Sequence, residues 1–540
     1  MRVRCLALLG IAAILLLAVA PAMGQSRLAS RRPNIVLIVA DDLGFSDLGC
    51  YGSEIFTPNI DRLASDGLRF TQFYNGGRGC PSRASLMTGL YPHQTGMGLM
   101  LKDYRKPGYR GNLNKSCATI AELLKEVGYQ TMMCGKWSLS RHLGAEGPKH
   151  TWPEGRGFEN FHGTLGPAGS YFDPATLVRE NNAIRPSGDF YYTDVISQQA
   201  AQYVERTGRA QRPFFLYVAY TAPHWPLHAR PETIARYRGK YAIGWDSLRR
   251  ERHKRMISLG IVKPQWPLTP REPKVRGWEH NNYKSWQQKR MEVYAAQVDS
   301  MDRGVGLILE KLKQAGAEQN TLVMFLSDNG ACAEEVSPKW KGLHIPTKTR
   351  DGRTVQVGNN PNVVPGSDAT YQSYGIAWAN ASNTPFRSYK HWMHEGGIAT
   401  PLVVRWPAGI SQRGKITHQP GHVIDIMATC LDIAKTPYPR ITGGFRIKPI
   451  EGKSLLPIFQ GETRPRTAIF WEHEGNRAVR DGKWKLVSRY PGKWELYDME
   501  ADRTELNDLA QSTRYRAIVE ELSQAYAAWA KRCGVEQWRK

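Results

Sequence analysis

The sequence predicts an α/β protein: a large, mainly parallel sheet with helices on both faces, followed by a smaller C-terminal α+β subdomain with an antiparallel sheet. Three observations lead there. Asn34–Ala40 reads NIVLIVA, an unbroken β-branched apolar run of the kind a strand shows when both its faces are covered. Similar runs alternate with amphipathic helical patterns, as in a doubly covered parallel sheet. Near residue 450 that alternation gives way to short strand-like runs with tight connections.

The elements follow in order. Residues 58–67 predict a helix with Thr57 as N-cap, Pro58 at the first helical position and Gly67 as its stop. Residues 118–127 predict an amphipathic helix that ends at Gly128 and feeds a strand at 130–134. A buried-type strand is expected at 213–220. A long helix follows at 289–314, with Val293, Val298, Met301 and Leu307 at helical spacing. Thr321–Ser327 and 401–406 read as further strands. Beyond 450, residues 467–472, 477–480, 483–487 and 494–497 read as short strands and 511–532 as a closing helix. The expected organisation is a signal segment at 1–24, a main domain at 25–450 and the subdomain at 451–540. Two polar, Gly/Pro-rich stretches, 229–285 and 336–382, read as insertions. In an open α/β sheet ligands bind outside the carboxyl ends of the strands, so such insertions govern access.

A length of 540 residues, with 41% hydrophobic and 23% charged residues, describes a globular chain able to bury a large core. Arg2 and Arg4 precede an apolar run at 6–20 and a small-residue cleavage pattern before Gln25, which reads as a secretory signal. The run is short for the alternative, an uncleaved membrane anchor. The mature chain is therefore expected to be exported, periplasmic or extracellular, with no integral membrane segment. Cys50, Cys80, Cys117, Cys134, Cys332, Cys430 and Cys533 remain after cleavage; their odd number and their spacing predict mainly buried thiols rather than a disulfide framework or a zinc site. The net charge of +24 favours an anionic partner. Export disfavours nucleic acid, leaving a sulfated polymer as the natural polyanion. The densest basic patch, LRRERHKR at 248–255, reads either as a solvated loop or as a polyanion contact.

Chemistry concentrates at predicted strand ends. Asp41 and Asp42 follow the first strand, and Asp328 and Asn329 follow Thr321–Ser327. Three carboxylates and an amide oxygen brought together form a hard oxygen site suited to Ca²⁺, with Mg²⁺ as the alternative. Singly, each pair also fits a cap or a turn. Lys136, His224 and Lys390 lie in loops after or between predicted strands, and Arg83 follows the run Gly79-Cys80-Pro81-Ser82. Gathered in one crevice, these four would hold a doubly charged tetrahedral oxyanion.

The blocks NIVLIVADDLG, TPNIDRLASDGLRF, CPSRASLMTGLYP, GYQTMMCGKW, TAPHWPLHA, FLSDNGA, EGGIATPLVVRWP and DGKWKLV occur in this order and span nearly all of the mature chain. In these blocks the chain resembles the type I sulfatases of the alkaline-phosphatase superfamily. The resemblance implies Asp41, Asp42, Asp328 and Asn329 as metal ligands, Arg83 as support for the nucleophile, and Lys136, His224 and Lys390 as sulfate-holding groups. It also implies a formylglycine nucleophile, made from a Cys two positions before the Pro. Here that position is Gly79, which no oxidation converts to an aldehyde, and Cys80 stands one residue too late. The formylglycine-generating enzyme is expected not to recognise this block. The family's Gly-Lys-Trp-His becomes Gly-Lys-Trp-Ser, placing Ser138 in the slot of a catalytic His; a serine hydroxyl is no general base near neutral pH. Two readings remain: a sulfuric ester hydrolase, or an inactive relative that binds sulfated glycans. The ligand is expected to be a sulfated small molecule, aryl or alkyl, or a sulfated polysaccharide.

Overall fold

The computed structural model describes residues 32–538 apart from 145, 209, 211 and 466; the expected signal segment lies outside the described residues. The chain builds one large sheet. Its strands are β1 (Asn34–Ala40), β2 (Leu68–Tyr74), β3 (Gln130–Lys136), β4 (Asn160–Thr164), β5 (Leu177–Arg179), β6 (Asn182–Ala183), β7 (Phe214–Ala219) and β8 (Thr321–Ser327). A two-stranded ribbon, β9 (Gln356–Val357) and β10 (Thr370–Tyr371), stands apart; β11 (Ala399–Arg405), β12 (Lys415–Thr417) and β13 (Gly421–His422) return to the large sheet. The strand order is β12-β2-β11-β8-β1-β7-β3-β4-β5-β6, with β13 also on β2. From β8 through β1, β7 and β3 to β4 every pair is parallel.

The period-two alternation of β1 explains its unbroken apolar run. Val36, Ile38 and Ala40 pack on one face with the helices Tyr192–Thr207 and Lys284–Gln314. Ile35, Leu37 and Val39 pack on the other with the helices Gly79–Thr88, Ile120–Glu126 and Asp425–Ile433. Both faces are therefore core, as the parallel-sheet reading requires.

Several local expectations change. Thr57 makes no side-chain cap on the helix Pro58–Ser65; its hydroxyl accepts from Gly49 N–H and donates to Asp61, tying the preceding turn instead. Leu307 is 37% exposed: Val305, Ile308 and Leu312 beside it are buried, so Leu307 falls on the solvent face of that turn. The strand expected at 401–406 is β11, and it runs antiparallel to both β8 and β2. The basic patch at 248–255 is no loop. It lies in the helix Gly244–Ser258, where Arg249 and Arg252 are buried and Arg252 pairs with Asp47 (2.6 Å) and Glu54 (2.9 Å). Arg252, and Arg255 at 3.6 Å from Glu54, thus face carboxylates of the protein rather than a polyanion. The seven cysteines among the described residues are all free and buried.

A small ribbon, β14 (Ile441–Thr442) and β15 (Phe445–Arg446), precedes the C-terminal region. There β16 (Ile469–His473), β17 (Asn476–Asp481), β18 (Trp484–Ser488) and β19 (Glu495–Asp498) form an antiparallel sheet that packs on the helix Arg516–Cys533. This sheet is locked to the large one by a buried ionic knot. Lys485 Nζ meets Glu395 (2.9 Å) and Glu505 (2.7 Å), and Arg503 Nε meets Glu395 (3.0 Å), all fully buried.

Candidate functional site

Strand direction decides what meets at the sheet edge. The carboxyl ends of parallel β1 and β8 carry Asp41-Asp42 and Asp328-Asn329, adjacent because Ala40 pairs with Ser327. β3 ends on Lys136, and β7 leads to His224. β2 runs the same way and delivers Gly76 to Gly79 to this edge. β11 runs the opposite way, so its amino end, preceded by Lys390, arrives there too. Gly135 makes the approach of Lys136 possible: its φ is +98°, and a Cβ there would lie 2.0 Å from the Ala219 carbonyl oxygen.

The side chains converge in a buried charged cluster. Lys136 Nζ reaches Asp41 Oδ2 at 2.5 Å. Arg83, fully buried, places Nε 2.7 Å from Asp328 Oδ2 and Nη2 3.7 Å from Asp41. Lys390 Nζ lies 2.9 Å and His224 Nε2 3.4 Å from Asp42 Oδ2. Asn329 Nδ2 donates to Asp42 Oδ1 at 2.7 Å. Gly79 opens the helix Gly79–Thr88; a Cβ on it would stand 3.1 Å from Asp328 Oδ2 and 3.7 Å from Asn329 Oδ1. Residue 79 therefore looks into the oxygen cluster. Cys80 is buried and belongs to the apolar core cluster that also holds Ala84 and Met87; burial pushes its thiol up to about 11, against Lys136, Arg83 and Arg78. Ser138 is fully buried and donates its hydroxyl to the Gly166 carbonyl (2.8 Å).

The electrostatics follow from burial. Burial opposes charge on Asp41, yet Lys136, His224 and Arg83 hold its carboxyl below the usual range. Burial and the neighbouring Asp41 raise Asp328 to about 6. Burial lowers His224, and Lys390 and Lys136 add to this against Asp42 and Asp41. Strain also gathers at this edge: Asp42, Ser138, Ser388 and His391 all hold positive φ, unusual for residues with a side chain.

Two groups at the site escaped the sequence reading. Glu334 meets Lys390 (3.3 Å) and Arg78 (2.8 Å) and accepts from Trp225 Nε1 (2.9 Å). Burial works against its charge, but Lys390 and Arg78 keep its carboxyl far below the ordinary range. No spacing rule singles out Glu334 beside Glu335. Arg78, immediately before the signature block, carried a usable signal: a cation abutting an anion-holding motif.

A mostly parallel sheet with buried Asp41-Asp42 and Asp328-Asn329 at two adjacent strand ends, ringed by Lys, Arg and His, defines an alkaline-phosphatase-type α/β fold. The family model described as Sulfatase matches residues 33–436, and that for the C-terminal region of N-sulphoglucosamine sulphohydrolase matches residues 387–532. The chain is 33% identical to an uncharacterized sulfatase of Schizosaccharomyces pombe, over 94% of this chain and 95% of that one. It is likewise 33% identical to the arylsulfatase of Klebsiella aerogenes, over 82% of this chain and 96% of that one. The crystal structure of Ps i-CgsB in complex with k-i-k-neocarrahexaose matches with a TM-score of 0.67 at 26% identity, covering 93% of each chain. The chain belongs to the type I sulfatase family of the alkaline-phosphatase superfamily.

Proposed function

We propose that this sulfatase-family protein binds a divalent cation and a sulfate ester in the crevice and does not hydrolyse the ester through a formylglycine. One observation carries the reading: residue 79, whose Cβ would face Asp328 and Asn329, is glycine, while the adjacent thiol of Cys80 is buried in the core. The rest of the crevice keeps its charged groups. Asp41, Asp42, Asp328 and Asn329 are all buried and offer three carboxylates and an amide oxygen, a donor set that fits Ca²⁺ or Mg²⁺. A bound cation there would polarise sulfate oxygens as a Lewis acid. Lys136, Lys390 and Arg83 offset the ester's negative charge in a pocket sheltered from water. Burial keeps His224 neutral near pH 7, so its imidazole offers a lone pair or an N–H to the ester. Ser138, engaged with Gly166, supplies no base. The ligand class is a sulfated small molecule or sulfated polysaccharide. Export rests on residues 1–24.

The test is sulfate release from a fluorogenic aryl sulfate in calcium, with the mature chain co-expressed with a formylglycine-generating enzyme. The natural chain is expected to be silent. Gly79→Cys is expected to acquire the aldehyde, read by peptide mass. Adding Ser138→His should raise release about 100-fold further, the contribution of a positioned acid–base group. Enzyme-like turnover by the natural chain would overturn the proposal and assign the attack to a water.

A further inference from the structure

Beside the charged crevice lies a cavity of about 280 Å³. It is tied to the crevice through backbone at Thr164 and Thr221 and electrostatically at His344. Thr164, in its wall, pairs with Lys136 in the β3–β4 register, and its carbonyl accepts from Trp137 N–H at 2.9 Å. Thr221, also in the wall, accepts from His224 N–H at 2.9 Å. His344 closes the same wall and lies within electrostatic reach of His224 and Lys136, which add to burial in lowering its pKa.

The rest of the cavity is mostly apolar. Met100, Leu101, Leu143 and Leu343 line it, and Leu343 is 64% exposed at the rim. Its hydroxyls are mostly engaged within the protein. Thr164 Oγ1 accepts from Tyr192 (3.1 Å), Thr176 Oγ1 from Gly166 N–H (3.0 Å), and Ser170 Oγ from Phe172 and Asp173 N–H. One buried hydroxyl, Thr221 Oγ1, has no hydrogen-bond partner. A sugar ring seated here would bury several hydroxyls against Leu and Met, and unpaired buried hydroxyls weaken binding. A flat apolar group meets no such penalty. An apolar cavity of about 150 Å³ holds a benzene ring, so this volume suits roughly two fused rings.

We propose that this cavity seats the alcohol portion of the ester and that the ligand is an aryl sulfate of about two fused rings, not a sulfated sugar. The proposal rests on the crevice holding sulfate, and the test separates the two. Calorimetry on the natural chain in calcium uses inorganic sulfate, 2-naphthol, 2-naphthyl sulfate and N-acetylglucosamine 6-sulfate. 2-Naphthyl sulfate is expected to bind at least about tenfold tighter than each of the other three, since burying a ring and pairing a charge each contribute. Leu143→Asp should weaken both naphthyl probes about tenfold and leave inorganic sulfate unchanged. Leu343→Asp, at an exposed rim position, should weaken them in the same direction without risk to the fold. Equal or tighter binding of the sugar sulfate, or naphthyl binding indifferent to both substitutions, overturns the cavity assignment and leaves the sulfate reading standing. Failure of inorganic sulfate to bind, with 2-naphthyl sulfate no tighter than 2-naphthol, overturns the sulfate reading and with it the seating of an ester.

Discussion

Two glycines show how much one absent Cβ decides. Gly135 sits at positive φ with the Ala219 carbonyl where its Cβ would be; Gly79 has ordinary helical backbone and only a carboxylate tip nearby. Gly135→Ala is expected to destabilise by about 3 kcal/mol or more, and Gly79→Ala by within about 1 kcal/mol, read as shifts in urea midpoint. A small loss at residue 79 would make its glycine a chemical choice; a loss as large as that at Gly135 would make it a steric one. Lys136→Met should weaken inorganic sulfate binding about tenfold or more, because it removes a buried cation from the pocket. Calorimetry in calcium measures this, and an unchanged affinity would remove Lys136 from the sulfate-holding set. These side chains were legible singly in the sequence because each stands in a family-like block. Glu334 was not, because its role depends on Lys390, Arg78 and Trp225 arriving from distant segments.

At the scale of elements, direction and burial carry most of the information. The antiparallel course of β11 brings Lys390 to the crevice; a parallel strand would have carried that loop to the opposite edge. A local run such as ATPLVVR encodes a buried strand but not its direction, which depends on the pairing partner. The helix Gly244–Ser258 makes the same point through charge. Composition marked it as a basic patch, yet Arg252 bridges Asp47 and Glu54 in the interior. Arg252→Leu is expected to destabilise by about 3–5 kcal/mol, since it leaves buried carboxylates unpaired, whereas Arg250→Glu on the exposed side should change stability by less than about 0.5 kcal/mol. Thermal unfolding of the two variants side by side decides it. Equal small effects would make the patch a solvated surface after all.

Across the whole molecule, the buried knot of Glu395, Lys485, Glu505 and Arg503 joins the amino end of β11 to the C-terminal sheet. Burial opposes charge on Glu395, but Lys485, Arg503 and Arg480 hold its pKa near 2, against an ordinary 4.5. A carboxyl whose folded value lies below its unfolded one stabilises fully above the unfolded value and loses that stability as pH falls toward the folded one. The urea midpoint should therefore drop steeply between about pH 4.5 and 2. Glu395→Gln should be less stable at pH 7 and show a shallower drop in that window. A wild-type profile flat across the window would mean that the knot does not couple the two sheets. A network of this kind is invisible in sequence, because its four members lie as much as 110 positions apart; the blocks that hold Glu395 and Lys485 mark each residue singly and say nothing of their pairing.

The sequence alone determined the doubly covered sheet, the change of architecture toward the C-terminus, the family, and the two departures at Gly79 and Ser138. Each is a local property: periodicity, composition, or residue type at a fixed spacing. The tertiary structure alone decided that β11 runs backwards, that the Cys80 thiol is buried in the core cluster, that the basic patch is partly interior, and that a mostly apolar cavity adjoins the charged site. Those properties depend on which segments meet in space. Burial and strand pairing are pairwise, long-range quantities, set when the whole chain closes around its core.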